Sequence, residues 1–349
     1  MATAACSTPR GGEIGPSYFI QAAIGQLRIS NRARLIDEVL GRPEVSERVK
    51  RALKEIPEIK RFAVRVGLRA TRNYEEYSDL RRPAAVWVVS ACEPLRFEAK
   101  RWVFPVVGGF SYLGWFDRDA AESFRQGLES QGYDSDLRPA SAYSTLGWFR
   151  DPILSTMIPE VDDLGDLAEV VLHESVHATL HLSGQSTLNE SLAQFLGEKL
   201  TLEYLREKRV GGSEASLQWE ETYQKGLAAA SRRKELLRSA YRFLKEVYES
   251  PRSRDEKSEI KGEVLARLKR DLNWPQARTL NNATLIQFAT YESGADVWQS
   301  LWESCGKSTT RLLQAIRVGV AGLSKERVTK ELEDRELTAF LSSLKTECR

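Results

Sequence analysis

The stretch Asp166-Leu167-Ala168-Glu169-Val170-Val171-Leu172-His173-Glu174-Ser175-Val176-His177 decides how the chain is read. Leu167, Val170 and Val171, continued by Ala178 and Leu182, recur at the three- and four-residue spacing of a helix with one buried stripe. Asp166 is the expected N-cap, with Glu169 completing a capping-box pattern, and Gly184 is the expected stop. The last five residues of the stretch form an HExxH pattern. Histidines four apart share a helix face, with Cβ atoms about 6 Å apart. Two such imidazoles can grip one tetrahedral ion at about 2.0–2.1 Å. Glu174 lies roughly 100° further round, where it can take a proton from a water beside the ion without becoming a ligand.

A second helix is expected to begin near Thr187 and run towards Tyr204, after a short link from Gly184 to Thr187. Glu190 falls on its first turn and offers a carboxylate as third ligand. The chain has only three histidines, and all fall within nine positions, from His173 to His181. His181 stands a further turn along, and three helical histidines in line do not readily meet one ion. It reads as an outer, partner-facing or surface residue. Asn189 reads as a cap or a residue that orients the site. Glu198 either orients a histidine or is a helix-surface charge.

Three stretches together resemble a known family, the predicted bacterial aminopeptidases of the gluzincin type. One is Val171 to His177 with Leu188-Asn189-Glu190-Ser191. Another is Ser141-Ala142-Tyr143-Ser144-Thr145-Leu146-Gly147-Trp148-Phe149 with Asp151 to Thr156. The third is Leu280-Asn281-Asn282-Ala283 with Ala289-Thr290-Tyr291. The likeness runs from about Tyr18 to near Val318. His181 stands where the family often has an aromatic residue, and the segment after Val318 matches no pattern. The resemblance implies a zinc metallopeptidase with aminopeptidase activity. It also puts forward Tyr143 and Tyr291 as donors to a tetrahedral oxyanion, although either could instead be a buried tyrosine with a structural hydrogen bond.

Of the 349 residues, 42% are hydrophobic and 29% charged, and the net charge is +2. That is ample material for a core and gives no argument for nucleic acid. The basic stretches Ser231 to Arg238 and Arg252 to Arg270 alternate with glutamates and read as solvated helix faces. No apolar run approaches a transmembrane span. Cys6, Cys92, Cys305 and Cys348 are scattered without CxxC spacing and suggest no disulfide framework. Thr3-Ala4-Ala5-Cys6 and the tether to Gly15 resemble the end of a lipoprotein signal without its charged and apolar regions. With the resemblance, this gives the expectation of a bacterial envelope protein, membrane-attached through a lipidated Cys6. A coincidental flexible tail is the other reading.

From Pro16 to about Val66 the pattern is helical. Ile20, Ala23, Ile24 and Leu27 form one expected buried stripe, and Gly41 and Pro57 act as punctuation. Ala85 to Val89 and Arg101 to Phe104 read as strands, Gly108-Gly109 as a turn or bulge, and Asp119 to Gln131 as helix. From Asp166 onward nearly everything is helical, including Glu214 to Tyr248. Leu113-Gly114-Trp115-Phe116 is echoed by Leu146-Gly147-Trp148-Phe149, which marks either equivalent strand ends beside a cleft or aromatic core packing. The expected fold is α+β and mainly helical, with a small β-sheet in the N-terminal half and a helical C-terminal half carrying the HExxH helix. The expected organisation is a flexible tail over 1–15, an α+β part over 16–160 and a helical zinc-binding part over 161–349, together forming one catalytic unit.

These readings combine into one zinc per chain held by His173, His177 and Glu190, with Glu174 as general base and a peptide as substrate. An endopeptidase of the same fold and a non-catalytic metal-containing envelope binding or assembly protein are the competing readings. Glu174 speaks against the latter, because a protein that only binds has no chemical need of it. Neither the oligomeric state nor an acid that would anchor a substrate amine is legible.

Overall fold

The computed structural model describes residues 14–104, 108–142, 150–160, 164–210, 214–276, 278–292, 294–322, 332 and 334–348. Cys6, Tyr143 and the second aromatic echo lie outside the described residues, and of Tyr291 only the backbone is described.

The chain opens with helices α1 (Pro16–Arg32), α2 (Ile36–Leu40) and α3 (Glu47–Arg65). Ser46 caps α3 by accepting from the Val49 amide. Pro57 lies inside α3 and does not end it. Its lost hydrogen bond and ring clash cost about 3 kcal/mol. The fully buried Leu53, Ile56, Ile59 and Phe62 on the same helix offset this at about 1.5–3 kcal/mol each. The expected inward stripe of α1 is also reversed: Ile20, Ala23, Ile24 and Leu27 face solvent, while Gly25, Gln26 and Ile29 are buried. The cause is local. Gly25 lies directly against the Phe116 ring, where a Cβ could not be accommodated, and Gln21 accepts the Phe116 amide at 2.8 Å.

The strands are β1 (Arg34–Leu35), β2 (Glu76–Ser78), β3 (Val86–Cys92), β4 (Trp102–Phe104), β5 (Gly108–Phe110), β6 (Tyr112–Trp115), β7 (Asp134–Ala140) and β8 (Ile153–Leu154). They form three small sheets, ordered β1-β2-β8, β6-β3-β7 and β4-β5. All pairings are antiparallel except that of β2 with β8. Gly108 and Gly109, expected as a turn or bulge, are strand residues opposite Phe104 and Val103, and Gly109 accepts from the Arg101 guanidinium at 3.3 Å. Helix α4 (Arg118–Ser130), capped by Asp117, buries Ala121, Phe124 and Leu128 with Val89, Leu113 and Trp115 of the central sheet.

The rest is helical, as its sequence periodicity predicts: α5 (Gly165–Thr179), α6 (Ser186–Val210), α7 (Glu214–Glu249), α8 (Arg254–Asp271), α9 (Asn282–Glu292), α10 (Ala295–Ser304), α11 (Thr309–Ala321) and a last helix over Asp334–Ser343. The molecule is therefore α+β and mainly helical, with its small sheets in the N-terminal half. The largest hydrophobic cluster joins Ile56, Phe62 and Ile153 to Leu172, Leu196, Trp298 and Leu313, so residues on both sides of position 160 share one core. A smaller cluster unites α7, α8 and α9. Asn282 ties this cluster to the central sheet: its side-chain amide donates to the Glu93 and Pro94 carbonyls at 3.0 Å.

Two of the scattered cysteines are joined. Cys305, at the end of α10, is bonded to Cys348, 43 residues later. The pair meets because Leu301, Leu312, Leu341 and Leu344 bury the C-terminal turn against α10 and α11, a tertiary proximity that spacing does not announce. Cys92 is buried and free.

Candidate metal centre

Helices α5 and α6 pack along most of α5 through Leu167, Val171, Leu172 and Val176 against Leu188, Leu192, Leu196 and Leu200, all at most 1% exposed. Gly197 of α6 faces His173 across this contact: a Cβ there would lie 3.4 Å from the His173 Cβ, within ordinary van der Waals range. The pairing of these helices is what brings the motif and Glu190 together.

Helix α5 begins at Gly165 with Leu164 at its N-cap and no side-chain cap. Asp166 sits in the first turn. Glu169 faces inward and does not close a capping box, because it accepts from the Tyr223 hydroxyl and the Gln194 amide, both at 2.9 Å. Burial raises the pKa of this carboxyl. The helix also ends earlier than Gly184, at Thr179, with Leu180 extended. Asn189 accounts for the difference. Its side chain accepts from the Leu182 amide at 2.9 Å and donates to the Leu182 carbonyl at 2.8 Å, holding the linking turn in a non-helical path. Gln185 in the same turn accepts the Leu332 amide at 3.0 Å, and Ser191 accepts from the Trp298 indole at 3.1 Å. The turn before Glu190 and the residue after it are thus both fixed to the surrounding core.

His173, His177 and Glu190 converge into a group that could hold a metal ion. The two Nε2 atoms are 3.1 Å apart, and Glu190 Oε2 is 3.6 Å from each. Ligands at about 2.0–2.1 Å around a tetrahedral zinc stand roughly 3.3–3.4 Å from one another, so the three spacings bracket those of a zinc cradle. All three side chains are at least four-fifths buried. Burial acts to raise the Glu190 pKa, but the two histidines outweigh it and hold the carboxyl well below its usual range. Conversely, burial acts to lower the His177 pKa, and the hydrogen bond and charge of Glu190 raise it overall. The cradle thus holds its carboxylate ionised and favours a positive charge beside it, whether a proton on His177 or a cation.

Glu174 shares α5 with the histidines. Its Oε2 is buried and, among the described residues, has no hydrogen-bond partner. His177 Nδ1 is likewise buried without a partner. That ring is therefore set by packing, without the outer acceptor that ligating histidines usually have. The partnerless Glu174 Oε2 fits a centre in which a water stands beside an ion.

His181 lies beyond the end of α5 and not a further helical turn along it, with its ring centroid 6.4 Å from that of His177. Burial and then the neighbouring His177 lower its pKa. Glu198 touches neither metal-centre histidine: it accepts from Lys234 and Gln194, each at 2.8 Å.

Two tyrosines approach the centre that sequence reading leaves aside. Tyr112 on β6 donates to Glu190 Oε1 at 3.3 Å. Tyr74 is buried at φ 65°, an unusual backbone for a bulky residue. Its amide donates to the Asp151 carbonyl at 2.7 Å. Burial, then the charges of Glu174 and Asp151, raise its phenol well above its ordinary pKa. Strained backbone of this kind concentrates where side-chain placement matters. No local motif marks either residue, since each arrives through strand and turn placement far from HExxH.

The fold and this centre define a helical α+β protein with a buried donor triad of two histidines and a glutamate. Residues 17–332 match the model of a family described as Putative aminopeptidase, and the chain belongs to that family. No curated protein and no solved structure matches it.

Proposed function

We propose that the protein is a zinc-dependent peptidase of the gluzincin type, acting as an aminopeptidase. The observation that carries this is the convergence of His173, His177 and Glu190 at near-tetrahedral spacings, with the half-buried Glu174 and its buried Oε2 on the helix of the two histidines, in a chain of an aminopeptidase family. Two imidazoles and a carboxylate suit zinc, and a catalytic site of three protein ligands leaves one position open. One zinc when bound would polarise the scissile carbonyl and lower the pKa of a water to about 7.

The chain supplies the rest. Glu174 accepts the proton of the attacking water at its partnerless Oε2 and carries it to the leaving amine. Glu190, held by the Asn189 clamp on the linking turn, and the two histidines of α5 keep that carboxylate and the carbonyl in register. The oxyanion takes a further hydrogen bond from a phenol. Tyr143 and Tyr291 are put forward for this by family likeness, and Tyr112 by its approach to Glu190. The Cys305–Cys348 bond suits an oxidising compartment, in keeping with an envelope location and a lipid on Cys6.

The test pairs metal analysis with hydrolysis of a broad peptide library. The expected result is about one zinc per chain and release of N-terminal residues. Internal cleavage would replace aminopeptidase with endopeptidase. Zinc without turnover would point to a binding protein.

A further inference from the structure

Helix α1 carries an apolar face that is largely exposed in the described structure, although Phe19 at its edge meets the Phe104 ring with centroids 5.9 Å apart. Its inner side is well occupied: Tyr18 stacks edge-on to Trp115 with centroids 5.0 Å apart, and the Ile29 carbonyl accepts from Ser78 at 3.1 Å. On the outer side Phe19, Ile20, Ile24 and Leu27 are 53%, 59%, 43% and 60% exposed, and Ala23 among them is exposed too. At 100° per residue these five fall within an arc of roughly 140°. Four bulky apolar side chains on the solvent face of one helix amount to a patch and not to scattered exposure.

The charges beside this face specify its partner. Helix α1 contains no acidic residue. Arg28 and Arg32 flank one edge of the arc, and Arg34 follows in β1; all three are exposed. Arg82 lies near them: burial, then the charges of Arg32 and Arg28, lower its pKa. The hydrogen bonds of Arg32, Arg34 and Arg82 go to backbone carbonyls. Among the described residues none of the four arginines has a carboxylate partner. Packing against a second copy in a two-fold manner would bring this arginine group close to its own image. An apolar stripe bordered by unpaired arginines matches a helix lying at the surface of an anionic bilayer.

We propose that α1 docks on anionic lipid, with Phe19, Ile20, Ala23, Ile24 and Leu27 entering the acyl boundary and Arg28, Arg32 and Arg34 meeting headgroup phosphates. This contact is separate from any acyl chain on Cys6 and would orient the molecule at the membrane.

The full chain carrying Cys6→Ser removes acylation from the test. It should sediment with vesicles of phosphatidylcholine containing one quarter phosphatidylglycerol, and about tenfold less with pure phosphatidylcholine. Binding should weaken as salt is raised. Ile20→Asp with Leu27→Asp should reduce it by about tenfold or more at unchanged melting temperature, and Arg28→Glu alone should also weaken it. Absence of binding by the parent, or equal binding by the parent and both variants, would overturn the proposal. So would a dimer that the Ile20→Asp/Leu27→Asp variant dissolves in the absence of any lipid binding.

Discussion

Tyr112 donates its phenolic hydrogen to Glu190 across 3.3 Å, joining a strand of one small sheet to a proposed metal ligand 78 residues further on. The bond brings a neutral donor from β6 to the carboxylate that α6 supplies, beside the two histidines of α5. Tyr112→Phe should therefore leave zinc content near that of the parent, since all three proposed ligands stay. Loss of a hydrogen bond to a charged group costs about 1.5–3 kcal/mol. If Tyr112 turns its one hydrogen from Glu190 to the oxyanion in the transition state, kcat should fall by about 10²–10³-fold with KM little changed. Steady-state kinetics on the zinc-loaded variant checks this, and a change confined to KM would assign Tyr112 to substrate binding.

Glu190→Gln keeps the shape of the third donor and removes its charge. Zinc affinity, measured by competition with a chromophoric chelator, should fall by about 10-fold or more while circular dichroism is unchanged. Unchanged affinity would mean that a different group completes the centre.

In the metal-free protein the pH response has two sides. Glu190 is held below its usual pKa, so its stabilising contribution is present above the ordinary carboxylate range, about 4.3, and is lost as the pH falls through the depressed value. His177 is raised above its ordinary value. Its contribution is therefore complete below about 6.5 and disappears as the pH rises through the raised value. Thermal melting of the metal-free protein should peak between these limits. Zinc must displace the proton of His177, so its apparent affinity should climb with pH across the raised value. A flat affinity profile would show that His177 is neutral before metal binds.

The linking turn is a separate target. Asn189→Ala leaves the Leu182 amide and carbonyl without their partners and should cost about 2–4 kcal/mol. Zinc affinity should drop with it, since Glu190 follows directly. Melting and zinc titration of the same preparation measure both.

How much of this was legible in the sequence depended on the range of the interaction. The α5–α6 pair, the three donors and Glu174 are readable because HExxH spacing and a glutamate on the next helix are local facts. The long helices of the C-terminal half follow from their periodicity. What escaped was decided by tertiary contact. The polarity of α1 turned on Gly25 meeting Phe116. Pro57 was absorbed because its helix buries so much apolar surface. The early end of α5 came from the Asn189 side chain. Tyr112 and Tyr74 reach the centre from strand and turn positions, and Cys305 finds Cys348 only once α10 and the C-terminal turn are packed. His181 looked like a third helical histidine because the end of its helix was misjudged by a turn.

The measurement that bears most directly on the central claim is the paired zinc content and peptide turnover of Glu174→Gln. The amide keeps the volume of the side chain but cannot accept a proton, and general-base catalysis typically contributes about 10²–10⁴-fold. Zinc should stay at the level of the parent, and a substrate-like peptide should still bind, while turnover falls by at least that order. A variant that carries zinc and hydrolyses peptides as fast as the parent would contradict the assignment of Glu174 as the base, even with the donor triad intact.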